Sequence, residues 1–204
     1  MQGFILHTQR VRDEDLIVYI LSPKTLLKTY RFYGLRHSSI LSGYKIDFAL
    51  EENSSFLPRL KDVLHLGFSW ILDREKMLFW QEFIRLLYGH LKEVSELDSF
   101  YFDLLDECAK RFLKQNPKRV ILDAYVRILE FEGRLHTNFI CFACDEKIRG
   151  NITLLRAFLP SHDFCAFSYE FPHQKLEIFY EKKNCSIFND EEIHKLYELV
   201  KQGL

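Results

Sequence analysis

The sequence predicts an α+β chain in two parts: a small five-stranded β-barrel over residues 1–69, then an α-helical domain over 70–204 that carries a cysteine-rich insert at about 134–190 and ends in a C-terminal helix. Three observations lead there. Short apolar runs separated by turn residues fill the first seventy positions. Near Trp70 the apolar spacing becomes that of amphipathic helices. Beyond residue 134, Cys and His recur in pairs at two-residue spacing.

The strand runs are residues 3–11, 16–21, 27–35, 44–50 and 60–68. The second is solidly apolar and β-branched, and Ser22-Pro23 stops it. Gly43 introduces the fourth, and the polar run at 51–55 reads as a solvated loop. The fifth is ambiguous, because Leu60, Val63, Leu64 and Gly67 also fit a helix. Five short strands suit a small closed barrel, and an SH3-like barrel or half-sandwich fits the pattern too.

From 73 to 91 the residues Met77, Phe79, Trp80, Phe83, Ile84, Leu87 and Leu91 recur at helical spacing. Ser99 can cap a second helix with Phe102, Leu105, Cys108, Phe112 and Leu113 on its apolar face, where Cys108 reads as a core thiol. Pro117 at a first-turn position opens a third helix, which Gly133 ends. These helices are expected to pack as a bundle. Residues 134–190 read as irregular. Acidic residues at 190–192 then open a last helix, 193–201, where they suit the helix dipole.

The formal net charge is only −1, so the chain is no polycation. Residues 1–50 nevertheless hold seven Lys/Arg against four acids, a balance of +3 that leaves −4 for the rest. This asymmetry favours an anion-binding N-terminal half. The stretch Lys28-Thr-Tyr-Arg-Phe-Tyr-Gly-Leu-Arg-His37 mixes cations, which neutralise phosphates, with aromatics, which stack bases. The bland alternative is a strand whose rings fill a core while its cations stay in water. No apolar run reaches bilayer length and no signal peptide is visible, so a cytoplasmic protein is expected.

Cys141-Phe-Ala-Cys144 and His162-Asp-Phe-Cys165 form two pairs seventeen residues apart. Each tight turn brings two ligands to one side, and two turns complete a tetrahedron, so Cys141, Cys144, His162 and Cys165 are candidate ligands of one structural Zn2+. The alternative is three free thiols and a loop histidine, with the region held by apolar residues such as Phe139, Phe142, Phe158 and Phe164. Cys185, His136 and His173 fit a knuckle poorly. No P-loop, G-x-G-x-x-G, G-x-S-x-G or H-E-x-x-H is present, so an enzyme is not expected. Asp13-Glu14-Asp15 could hold a metal but reads better as a turn, and His65 reads as a satisfied core residue.

Several segments, taken in order, resemble the RecO family of bacterial recombination mediators. They are His7-Thr-Gln-Arg-Val-Arg-Asp-Glu-Asp-Leu-Ile-Val-Tyr-Ile-Leu21, Tyr33-Gly-Leu-Arg-His-Ser38, Ile128-Leu-Glu-Phe-Glu-Gly133 followed by the first cysteine pair, and Phe158-Leu-Pro-Ser-His-Asp-Phe-Cys165. The resemblance implies that the barrel is an OB-fold. It also implies activity without turnover: binding single- and double-stranded DNA, annealing complementary strands, and with RecR helping RecA replace single-strand-binding protein (SSB), in a cytoplasmic, nucleoid-associated setting.

Two departures stand out. The family's second pair is Cys-x-x-Cys, whereas Cys165-Ala-Phe-Ser168 ends in Ser, a poor ligand. Arg36-His37 also carries less charge than the family's doubled basic residues. On an OB barrel the expected phosphate contacts are Arg10, Arg12, Lys24, Lys28, Arg31, Arg36, His37 and Lys45, with Tyr30 and Tyr33 as stacking rings. Lys114, Lys118, Arg119 and Arg127 flank apolar helix positions, and the resemblance suggests the acidic tail of SSB as their ligand. The competing readings are an OB-fold and zinc factor in transcription or RNA processing, a scaffold without nucleic-acid contact, and a metal-dependent nuclease using Asp13, Glu14 and Asp15.

Overall fold

The computed structural model describes residues 1–52, 56–94 and 96–204; positions 53–55 of the expected solvated loop lie outside the described residues. The chain divides into two compact units, Met1–Leu113 and Lys114–Leu204.

In the first unit, strands β1 (Gln2–Arg12), β2 (Asp15–Leu21), β3 (Leu26–Arg31), β4 (Lys45–Glu51) and β5 (Arg59–His65) close into a barrel in the order β1-β2-β3-β5-β4. β3 and β5 pair in parallel and the other neighbours antiparallel, and β4 returns to β1 to remove the sheet edges. This is the five-stranded OB-fold barrel. The alternation along β2 sends Leu16, Val18 and Ile20 inward, where they meet Ile5, Ile46, Phe48 and Leu60 in the barrel core. The ambiguous fifth segment is therefore a strand, its inward Leu60 completing that core.

The third strand ends four residues earlier than its composition suggests. Tyr33 adopts a left-handed conformation (φ 51°), and its amide donates to Asp15 Oδ1 rather than to a strand partner, so Gly34–Arg36 coil into a 3-10 turn. His65 also departs from expectation. Its ring stacks on Tyr44 with centroids 4.0 Å apart, but its buried Nε2 has no hydrogen-bond partner, and burial lowers its pKa.

Helices α1 (Arg74–Leu91) and α2 (Phe100–Arg111) complete this unit. Asp73 caps α1 by accepting from the Lys76 amide. Ser99 stands at the N-cap position of α2 but makes no side-chain cap hydrogen bond; Asp98 accepts from the Phe100 amide instead. The Trp80 indole donates to Gly43 O at 2.7 Å, and a Cβ at Gly43, whose φ is +92°, would lie 2.8 Å from the Trp80 ring. Glycine is thus required twice over there. Phe4, Phe68, Trp70, Trp80 and Phe112 form the aromatic cluster that joins barrel to helices, and Cys108 is fully buried beside it as a core thiol.

The second unit begins with α3 (Pro117–Phe131), started by Pro117 and capped by Asn116, with Gly133 in the left-handed conformation just past its end. The segment read as irregular is ordered. It contains β6 (Ile152–Leu154), β7 (Pro160–Ser161) and β8 (Tyr169–Phe171) in a small antiparallel sheet of order β7-β6-β8, and a helix α4 (His173–Lys182). The helix follows Pro172 and buries Leu176, Phe179 and Tyr180, a period too short to stand out beside its polar neighbours. Helix α5 (Asp190–Val200) closes the chain with a full capping box between Asn189 and Glu192. No helix among the described residues is long and apolar enough to cross a membrane.

Candidate nucleic-acid interface and metal centre

The β1–β2 turn, the end of β3 and the start of β5 meet at one end of the barrel. The β1 register slips between Arg10 and Arg12, a bulge that bends the strand there. Asp15 organises the corner: its Oδ2 accepts from the Tyr30 hydroxyl and its Oδ1 from the Tyr33 amide, each at 2.7 Å. These two hydrogen bonds hold the Asp15 carboxyl below its ordinary pKa, and the same carboxylate raises that of Tyr30. Glu14 pairs with Arg36, whose guanidinium lies 5.1 Å from the Tyr33 ring centroid. The nuclease reading of Asp13, Glu14 and Asp15 finds no support in this wiring: Glu14 faces a guanidinium, Asp15 faces two hydrogen-bond donors, and the three acids act as a turn.

Arg10, Arg12, Lys28, Tyr33, Arg36 and His37 are exposed around this corner and the adjoining strand faces. Arg10 Nε donates to Asp13 O at 2.7 Å, and Lys28 lies 5.7 Å from the Tyr19 ring centroid. Lys24 is exposed on the turn before β3, and its carbonyl accepts from Leu97. Arg31 is half-buried. It donates to Leu60 O at 2.8 Å and to His37 Nε2 at 3.2 Å, while its buried Nε has no hydrogen-bond partner. Lys45 does not join the group. Its ammonium binds Asp106 Oδ1 at 2.5 Å and sits 5.6 Å and 5.4 Å from the ring centroids of Phe4 and Phe102.

Two residues that sequence reasoning passed over stand at the centre of the corner. Arg59 begins β5 opposite Tyr30 of β3, which brings its guanidinium 4.6 Å from the Phe32 ring centroid. Phe32 is 44 % exposed, and Tyr30 meets it edge-on at 4.9 Å. Phe32 lies inside the cation-and-ring stretch and was visible there. Arg59 was not, because only the parallel β3–β5 pairing connects it.

In the second unit Cys141, Cys144, His162 and Cys165 converge, with one ligand atom from each lying within 4.8 Å of all the others. Cys144 Sγ is 3.4 Å and Cys165 Sγ 3.9 Å from His162 Nδ1. Around a tetrahedral zinc with Zn–S about 2.3 Å and Zn–N about 2.0–2.1 Å, neighbouring ligand atoms stand roughly 3.5–3.8 Å apart, so the donor set fits a metal of that size. Tight turns create the two half-sites: Asp145 N donates to Cys141 O at 2.9 Å, and Cys165 N to His162 O at 3.1 Å.

Burial alone would raise the Cys141 thiol. Hydrogen bonds from the backbone of His162, the Ser161 hydroxyl and the backbone of Ala143 and Cys144 outweigh it and bring it down to about 5. Burial and the neighbouring Cys144 and Cys141 push Cys165 up to about 11. Crowded sulfurs cannot all ionise without a cation among them, and a cation reverses that repulsion. Ser168 stands apart from the group, its hydroxyl donating to Leu154 O at 2.6 Å, so His162 takes the fourth corner. Of the phenylalanines expected to fill this region, Phe139 and Phe158 are buried, whereas Phe142 and Phe164 are exposed, Phe164 stacked on the His162 ring.

The basic residues expected to bind a partner differ in freedom. Lys114 is exposed. Lys118 lies 5.9 Å from the Tyr197 ring centroid, and Arg127 is half-buried. Arg119 is bound into the unit, donating to Cys185 O and Phe188 O at 3.1 Å each and pairing with Asp190 at 2.8 Å.

No curated protein matches this chain. The family model described as RecO N terminal matches residues 1–71, the span of the whole barrel and the approach to α1. Barrel order, strand content and this match agree: residues 1–71 are similar to the RecO N-terminal domain.

Proposed function

We propose that the chain is a DNA repair and recombination mediator that binds and anneals DNA without turnover and, with RecR, helps load RecA onto SSB-covered single strands. The observation that carries this reading is the cluster of exposed cations and rings at one end of an OB barrel that matches the RecO N-terminal family model. The β1–β2 and β4–β5 loops of OB-folds flank the surface on which oligonucleotides bind, through backbone charge and stacked bases. Arg10, Arg12, Lys28 and Arg36 are the phosphate contacts in this reading, His37 extends the basic surface, and Tyr30, Phe32 and Tyr33 supply rings; Lys24, on the turn at the opposite end of the β2–β3 pair, stands apart from this cluster. Arg31 acts from within by holding His37 and the start of β5.

The Cys3His group serves as a structural zinc site, since four protein ligands leave no open position for a substrate. The zinc would fix the two turns. The acidic tail of SSB would meet the basic residues of the second unit, which raises the local concentration of the mediator on covered DNA.

Fluorescence anisotropy with single-stranded DNA at two salt concentrations tests the reading. Wild-type binding should weaken steeply with salt through counterion release. Arg12→Ala with Lys28→Ala should lower both affinity and annealing rate and reduce the slope of log K against log[salt] by roughly 0.7 per lost phosphate contact on single strands. Absence of binding by the wild type at low salt defeats the proposal.

A further inference from the structure

Beside the exposed cations lies a cleft of about 410 Å3, lined by Tyr30, Phe32, Phe56 and Leu57 together with Arg12 and Arg59. Its volume is at the low end for small-ligand pockets, about 300–1,000 Å3, and suits a group the size of one nucleotide. We propose that this cleft is a socket for a single unpaired nucleobase. By it the protein distinguishes single-stranded from double-stranded nucleic acid through insertion of a base rather than through backbone charge. The proposal rests on the nucleic-acid reading above and refines it.

The lining is apolar and aromatic where a phosphate-binding groove would be polar. Phe32 is 44 % and Phe56 is 79 % exposed, so neither ring is spent on the core. One side of the cleft is also fixed in advance. Arg59 is held over Phe32 at 4.6 Å and anchored by Glu51 at 3.2 Å, and Tyr30 is anchored by Asp15. Ordering these side chains therefore costs little when a ligand arrives. A base offers two flat π-faces to such walls, and the Arg59 guanidinium adds a planar cation that stacks on either partner. Arg12, at the same cleft, is placed for the phosphate beside the inserted base. A base within a duplex hides both faces in the stack and reaches such a socket only by unpairing, which costs energy. The cations outside the cleft serve both kinds of DNA, whereas the socket serves only the unpaired one.

The test uses the full chain and two strands of equal length, one with bases and one with abasic sites, plus a blunt hairpin with the same number of phosphates. Each is titrated at one salt concentration. The base-bearing strand should bind roughly five- to a hundred-fold tighter than the abasic strand, the range for stacking of one base. A single 2-aminopurine in the strand should change its fluorescence on binding. Phe32→Ala should bring the base-bearing strand to the abasic affinity and remove the 2-aminopurine signal, and Phe32→Trp should restore both. Equal wild-type affinity for base-bearing and abasic strands overturns the socket while leaving DNA binding intact; this comparison requires no variant. Binding of neither strand at low salt defeats the socket and the nucleic-acid reading together.

Discussion

The Tyr30 hydroxyl donates to Asp15 Oδ2 at 2.7 Å, so an acid at the start of β2 sets the position of a ring on β3. The other Asp15 oxygen holds the Tyr33 amide and with it the turn that ends β3. An acidic residue beside the proposed phosphate-binding surface would oppose that binding. Asp15 instead spends both carboxylate oxygens on positioning Tyr30 and the Tyr33 turn.

Asp15→Ala should lower the thermal midpoint at pH 7 and weaken single-strand binding, since Tyr30 and Tyr33 lose their common anchor. The carboxyl's pKa is depressed in the folded protein below its ordinary 3.8 by those two hydrogen bonds. Its stabilising contribution is therefore present above pH 3.8 and disappears as pH falls through the depressed value. Thermal melts of both proteins from pH 7 down to pH 3 should show a gap that persists to about pH 4–5 and narrows below it. A gap that widens with acid contradicts the assignment.

Lys45 and Asp106 pin α2 to the barrel within the first unit. Their side chains are 15 % and 25 % exposed, and Asp106 also receives Lys110 at 2.7 Å. Burial would raise the Asp106 pKa, but hydrogen bonds from Lys110 and Lys45 and their charges reverse the direction. Asp106→Ala leaves Lys45 shielded without its acid and should cost about 1–3 kcal/mol in urea unfolding. Lys45→Met keeps an apolar stem against Phe4 and Phe102 and leaves Asp106 its Lys110 partner, so the loss should be smaller. It should also leave DNA affinity nearly unchanged, because the Lys45 ammonium is already engaged. A marked drop in DNA affinity would return Lys45 to the contact surface.

The barrel was legible because strand alternation and turn residues are local signals. Leu16, Val18 and Ile20 announce an inward face without help from the rest of the chain. The candidate metal ligands were legible for the same reason, their chemistry being written in two-residue spacings. Three features depend on distant partners and left no local trace. Residues 32–35 look like strand, yet Asp15 takes the Tyr33 amide and turns the chain. Arg59 reaches Phe32 only through the parallel pairing of β3 with β5. Ser99 stands at the N-cap with the composition of a cap, but its backbone is helical and Asp98 takes the Phe100 amide.

Elemental analysis of protein purified without added metal should give about one zinc per chain. Cobalt substitution should show the absorption of a site with three thiolates and one imidazole. Cys165→Ala should abolish stoichiometric binding, and Ser168→Ala should leave it intact, because that hydroxyl is bonded to Leu154 O. Ser161 is fully buried with its hydroxyl 3.6 Å from Cys141 Sγ. Ser161→Ala should weaken metal affinity by about 10–100-fold, the usual effect of losing an outer-shell partner, without changing the cobalt spectrum. Chelation should lower the melting temperature, since metal-binding energy contributes to folding.

The basic residues of the second unit require a selective test of partner binding. Arg119 contributes hydrogen bonds to two carbonyls and a salt bridge to Asp190, with its side chain 27 % exposed. It secures the connection between α4 and α5 to α3. Charge reversal there should therefore destabilise the protein by about 1.5–3 kcal/mol, the range for hydrogen bonds to charged groups. Any loss of peptide binding in Arg119→Glu would be confounded by that damage. Lys114 is exposed, and its reversal should change stability by no more than about 0.5 kcal/mol. Lys114→Glu combined with Lys118→Glu should abolish binding of an acidic, apolar-ended SSB tail peptide, measured by anisotropy at low salt, and spare binding to naked DNA. Wild-type affinity should be of micromolar order, as expected for a short flexible segment that orders on binding. If Arg119→Glu melts like the wild type and alone abolishes peptide binding, Arg119 is a contact residue and its structural role is wrong. If the peptide does not bind the wild type at all, the proposed recruitment through the second unit is wrong.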